Sequence, residues 1–229
     1  MVKEEKDVKA VKAPKSEQTR ALILETALRL FQERGYDRTT MRAIAQEAGV
    51  SVGNAYYYFS SKEHLVQGFY DRLAAEHAAA VQPVLAEEKD FAARLRGVLM
   101  TWLDVAEPYR PFATQFFKNA ADPESPLSPF SPESVGAREA VIALHERCLT
   151  GSTARTDPEL APLLPELMWL AHMGLVLFWV YDASPGQART RTLVRGVVPI
   201  VDKLVRLSRL PVVRGVVDDV VGLMDELRP

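Results

Sequence analysis

Between residues 16 and 73, helical patterns follow one another with almost no chain between them, and local stop and start signals set the length of each. Leu24, Ala27, Leu28 and Phe31 recur at helical spacing after Ser16, a residue suited to an N-cap, and the pattern stops at Gly35. A second helix is expected after Thr39 or Thr40, with Met41, Ile44, Ala45 and Ala48 facing inward, and it ends at Gly49. A third begins at Ser51. Ser60 and Glu63 have the spacing of a capping box, which opens a fourth helix through Leu65, Phe69 and Leu73.

The third pattern carries Tyr56, Tyr57, Tyr58 and Phe59 in succession. Neighbours on a helix point about 100° apart, so four consecutive rings cannot all enter one core. With a helix over roughly 52–58, Ala55 and Phe59 face inward, while Asn54 and Tyr58 share another face with Tyr57 beside them. Tyr56 sits between the two faces, either as a core ring or as one that straddles the boundary. The outward rings call for a partner surface. Two helices joined by a tight turn need a small residue where they cross and, four positions later, one tolerant of positive φ. Ala45 and Gly49, with Val50 and Ala55 as apolar flanks, meet that need. Ser51 would cap the second helix of the pair, whose first residues enter a DNA major groove in helix-turn-helix proteins.

The stretch GYDRTTMRAIAQEAGVSVGNAYYYFSSKEHL, from Gly35 to Leu65, resembles the DNA-binding head of the tetracycline-repressor (TetR) family of bacterial transcription regulators. The resemblance rests on the Thr-Thr opening, Ile44-Ala45, the run Ala48-Gly49-Val50-Ser51, then Gly53, Tyr56, Phe59, Lys62 and Glu63. It implies an all-α chain in which an N-terminal three-helix helix-turn-helix head precedes a C-terminal helical body for ligand binding and dimerisation. The expected division is a Lys-rich disordered arm over 1–15, the head over 16–62 and the body over 63–229. It also implies a cytoplasmic homodimeric repressor that sits on a near-palindromic operator and leaves it when a small apolar or aromatic inducer binds.

Roles follow position by position from that resemblance. Tyr57 and Tyr58 match positions that contact the DNA backbone and a thymine edge, and the Tyr56 hydroxyl reaches phosphate. Gly53 admits the backbone to the groove, Val52 reads a thymine methyl, and Ser51 and Asn54 are expected among the DNA-binding residues too. Arg42 either reaches a guanine or is a solvated surface arginine. Lys62 and Thr40 meet phosphate from the starts of their helices.

Charge agrees with that division. Residues 1–62 hold 11 Lys and Arg against 8 Asp and Glu, and the rest hold 17 against 22, so a mildly basic head precedes an acidic body. Beyond Pro83 helices are expected near 88–106, 109–120, 134–149, 159–181, 187–208 and 213–227. The stretch DPESPLSPFSP, 122–132, is a loop, with four prolines and three serines. Leu167 to Tyr181 reads as a buried helix, since its 15 residues include His172 and a membrane span needs about 20 apolar ones.

The family's pocket is expected among the body's aromatic residues, with Trp102, Phe112, Phe116, Trp169, Met173 and Val176 lining it. His172 either orients a polar ligand group or is a satisfied core histidine. Phe178, Leu193, Val197, Ile200 and Leu204 are expected at the dimer interface. His145 and Cys148 lie three apart, but no further ligand or acidic orienter stands in register, so neither a metal nor a nucleophile pair is expected. No phosphate loop, nucleophile elbow or dinucleotide fingerprint appears, so an enzyme is not expected, and no cofactor either. The rival expectation is a helical interaction protein of the same fold without specific DNA binding.

Overall fold

In the computed structural model residues 14–227 are described, with only the backbone for Phe112, Thr114, Gln115, Lys118, Asn119 and Leu227. The expected arm therefore lies outside the described residues up to position 13. The described residues form eleven α-helices and no strand: α1 (Lys15–Arg34), α2 (Met41–Glu47), α3 (Val52–Tyr58), α4 (Lys62–Ala80), α5 (Gln82–Glu87), α6 (Phe91–Ala106), α7 (Arg110–Ala120), α8 (Val135–Thr150), α9 (Leu164–Tyr181), α10 (Ala188–Leu207) and α11 (Arg214–Leu227). The chain divides into two units, one ending at Leu65 and one beginning at Val66.

The first unit is built on local signals. Ile23, Leu24, Ala27, Leu28, Leu30 and Phe31 form the buried stripe of α1, against which Met41, Ile44 and Ala45 of α2 pack. Gly35 and Gly49 end α1 and α2 at φ values of +85° and +67°, which favour glycine. Thr39 is buried, and its hydroxyl donates to the carbonyls of Leu30 at 3.2 Å and Gly35 at 2.9 Å. Thr40 caps α2 by accepting from the Ala43 amide at 3.2 Å, and Ser51 caps α3 by accepting from Asn54 at 3.1 Å. Ala45 and Ala55 are fully buried, as the α2–α3 crossing requires.

Two caps differ from expectation. Helix α1 starts at Lys15 behind Pro14, so Ser16 lies inside the first turn. Helix α4 opens one residue later than a cap at Ser60 implies, because Ser61 accepts from the His64 amide at 3.3 Å. The Glu63 carboxylate instead accepts from the Tyr36 hydroxyl at 2.9 Å. It meets a buried partner rather than closing a capping box.

In the second unit α6 packs on α8 and α10, and α9 on α7, α8 and α10. The expected helix from residue 88 starts at Phe91, because Asp90 caps it by accepting from Ala93 at 3.0 Å, and the chain before it forms the separate helix α5. Helix α9 starts at Leu164 rather than 159. Pro162 disfavours helix at the residue before it, and Pro165 is tolerated only within a first turn. By length and composition α9 is apolar enough to cross a membrane, and 44% of it is buried within this unit. Buried Asp182 caps α10 through Thr190, whose amide and hydroxyl donate to Oδ2 at 2.8 and 2.7 Å, while Ser184 holds Oδ1.

Buried Arg94 joins the ends of two helices. Its guanidinium donates to the carbonyls of Leu85 (2.6 Å), Glu88 (2.7 Å), Arg147 (2.7 Å) and Cys148 (2.8 Å), the first two at the end of α5 and the last two at the end of α8. Helix C-termini carry partial negative charge, so the cation is compensated without a carboxylate.

Candidate nucleic-acid interface and ligand cavity

Helix α3 has seven residues, and of these only Ala55 is buried. Val52, Gly53, Asn54, Tyr56 and Tyr57 are exposed, with Tyr57 80% and Tyr56 48% accessible. Tyr58 is half-buried, its ring edge-on to Tyr57 at 5.1 Å. The sequence reading therefore had two rings reversed: Tyr56 is open to solvent and Tyr58 lies at the boundary. Phe59 is buried beneath the Arg20 guanidinium, 4.9 Å from the ring centre.

Gly53 meets no neighbour within 4 Å where a Cβ would stand, and its backbone is helical. Glycine in a helix is about 1 kcal/mol less favourable than alanine, so nothing inside the unit calls for it here. Arg42 is exposed, and among the described residues no ion pair or hydrogen bond holds its guanidinium. The capping hydroxyls of Thr40 and Ser51 are engaged with helix amides and stay at the surface.

Lys62 is placed differently from an open phosphate donor. Its ammonium donates to the Tyr36 carbonyl at 2.9 Å and stands 4.2 Å from the centre of the Tyr36 ring. Three ammonium hydrogens leave two for an outside acceptor. Glu63 is held below its usual range: burial works against this, but hydrogen bonds from Ser61, its own amide and Tyr36, together with the Lys62 charge, outweigh it.

In the second unit a cavity of about 1090 Å³ is lined by Trp102, Phe116, Trp169, Met173 and Val176. The Phe112 side chain lies outside the described residues. His172, expected at the pocket, is not in the lining. It is drawn into a buried group with His145, at 3.3 Å between ring nitrogens, and with the edge of Trp102 at 5.1 Å between ring centres. His77 of α4 lines the cavity instead. The sequence carried a signal for it, because Phe69, Leu73 and His77 recur every four residues along one face of α4.

The loop 122–134 also lines the cavity, and it is well anchored. Leu127 is 1% accessible, and Ser125, Ser128, Ser131 and Ser134 stand three apart in successive turns, each amide bonded to the carbonyl three residues back. The Gln67 amide donates to the Pro126 carbonyl and to the Ser134 hydroxyl. Arg138 donates to the carbonyls of Pro129 at 2.8 Å and Ser131 at 3.3 Å.

Helix α10 has two apolar faces. Val194, Val198 and Val205 point into the core, while Val197, Ile200, Leu204 and Leu207 are exposed, Leu204 to 61%. Leu193, expected on the outer face, packs against the core, since its position falls on the edge of the inner face. Leu170, Phe178 and Tyr181 form an exposed apolar face on α9.

A family model described as "Tetracyclin repressor-like, C-terminal domain" matches residues 94–223, and one described as "Bacterial regulatory proteins, tetR family" matches residues 23–68. The "HTH-type transcriptional regulator TtgR" of Pseudomonas putida is 45% identical over 62 residues, covering 27% of this chain and 30% of that protein. The chain thus spans about a third of the length of the first curated relatives it matches. A putative TetR-family transcriptional regulator from Syntrophomonas wolfei has a similar structure, with a TM-score of 0.66 at 17% identity over 82% of this chain and 96% of that one. A TetR-family repressor, FadR of Thermus thermophilus, solved in complex with lauroyl-CoA, gives a TM-score of 0.56 at 20% identity over 79% and 93%. At these identities the structural likenesses establish the fold.

Proposed function

Because the chain belongs to the TetR family of bacterial regulatory proteins, we propose that it is a DNA-binding transcriptional regulator, a cytoplasmic homodimeric repressor released from a near-palindromic operator by a small apolar molecule. The observation that carries this reading is α3, a capped helix that buries one alanine and leaves two tyrosines, a valine and an uncrowded glycine open. Exposed rings of this kind fit a duplex, where a phenol offers an apolar face to a thymine methyl and a hydroxyl to phosphate. Tyr56, Tyr57, Val52, Gly53 and Asn54 approach the groove, Tyr58 supports them from the boundary, and Thr40, Ser51, Arg42 and Lys62 flank them.

Residues 16–62 serve as the head and residues 63–229 as the body. A second copy covers the outer faces of α9 and α10, with Phe178, Val197, Ile200 and Leu204 at the contact. Two heads then meet half-sites one helical turn, or a multiple of it, apart. A ligand in the cavity favours the conformer that does not bind DNA, and α4, in which the chain passes from one unit to the other, carries that bias. Differential affinity for the two conformers is what makes induction work.

Operator selection followed by a salt series tests the reading. Specific binding weakens steeply as salt rises, because phosphate contacts release counterions. Tyr57→Ala lowers operator affinity at least tenfold while the thermal midpoint stays in place, and Lys62→Ala reduces the salt slope by about one. A folded dimer that selects no sequence and shows no salt dependence would instead be an interaction protein of the same fold.

A further inference from the structure

We infer that the ligand of the body cavity is an uncharged, largely apolar molecule bearing a hydroxyl, received by unpartnered polar groups of His77 and Trp179; this rests on the reading of the body as a small-molecule site. Both side chains line the cavity, and both are almost wholly buried, at 1% and 3% accessible. His77 Nε2 faces the Val98 carbonyl at 2.8 Å, so that nitrogen carries the proton and Nδ1 presents a bare lone pair. Nδ1 has no partner, and neither has the indole N–H of Trp179. The wall therefore offers an acceptor at His77 and a donor at Trp179, each costly to leave buried and unpaired. A hydroxyl supplies both complements.

The same wall is hostile to an anion. Among the described residues its charged side chains are Glu124, Glu133 and Arg138. The guanidinium is held by its Nη1, which donates to the carbonyls of Pro129 and Ser131, and it lies 6.0 Å from the centre of the Trp169 ring. The two carboxylates repel negative charge. Burial pushes the Tyr70 phenol up to about 12 and the His77 imidazole down, the Val98 carbonyl opposing the latter, so both residues are held in their neutral forms. An acyl-CoA or a free fatty acid would find two carboxylates and a single guanidinium already anchored through one nitrogen.

Calorimetric titration of the full chain at pH 7.5 with decan-1-ol, 1-methoxydecane, decanoate and decanoyl-CoA tests this. The alcohol binds at least tenfold tighter than each of the other three, since the ether cannot donate to His77 and the anions meet two carboxylates against one anchored guanidinium. His77→Phe, checked for folding by its thermal midpoint, brings alcohol and ether within about twofold, whereas Trp179→Phe, checked the same way, weakens both and leaves the preference for the alcohol. Equal binding of alcohol and ether by the unaltered chain overturns the inference even if both variants misfold. A preference for decanoate or decanoyl-CoA overturns it too, and leaves the body standing as a ligand site. Failure of all four to bind removes both the site and the inference.

Discussion

The two units handle polar groups in opposite ways. In the first, no buried side-chain polar atom among the described residues is left without a partner, and most caps and turns close locally: Thr39 on Leu30 and Gly35, Thr40 on Ala43, Ser51 on Asn54, Ser61 on His64. Its unfinished surface is apolar and points outward, in the rings of α3. In the second, unfinished business lies inside, where His77, His145, His172 and Trp179 each keep a buried polar atom without a partner. A unit complete within and bare outside suits a macromolecular surface, whereas one incomplete within suits a small guest.

The contrast breaks first at Arg94. Arg94→Met removes the donor to four carbonyls at the ends of α5 and α8 and leaves them buried. The expected loss is about 3–5 kcal/mol, read from urea unfolding. A loss below about 1 kcal/mol would mean that water replaces the guanidinium at no cost.

Acid is the next lever. Burial, aided by the charge of His77, pushes His145 down to about 3, and His172 and His77 are also lowered, chiefly by burial. Between those values and the ordinary 6.5 the unfolded chain binds more protons than the folded one, so stability rises with pH through that window and falls on acidification. The slope approaches about 1.4 kcal/mol per pH unit for each histidine. The urea midpoint should therefore drop between pH 7 and pH 5, and His145→Leu should flatten that drop. A midpoint constant over this range would show that these rings are not held neutral.

What was legible in the sequence follows the same divide. The caps at Thr40 and Ser51 and the turns at Gly35 and Gly49 act over three or four residues, so the first unit could be read from local spacing. Tyr56 and Tyr58 were transposed because a wheel of 100° steps fixes direction but not which ring a neighbour shields. In the second unit the helices were legible, apart from α5 and the start of α9, but the long-range contacts that tie them together were not. Arg94 meets Cys148 across 54 positions and Gln67 meets Ser134 across 67. No periodicity reports such pairs. Leu193 and His172 were misplaced for a related reason: a helix that is apolar on two sides does not say which side faces inward.

The smallest effects compare two glycines four residues apart. Gly49 sits at a φ of +67°, where alanine is strained although the space is open, so Gly49→Ala should cost about 1 kcal/mol. Gly53 has helical backbone and equally open space, so Gly53→Ala should raise stability by up to about 1 kcal/mol. The same change adds a methyl on the exposed side of α3 and should lower operator affinity, measured by fluorescence anisotropy on the selected site. Opposite signs for stability and binding at Gly53 would place the reason for that glycine outside the chain. A loss of stability at both glycines would place it in the fold, and α3 would then lose its strongest claim to an external partner.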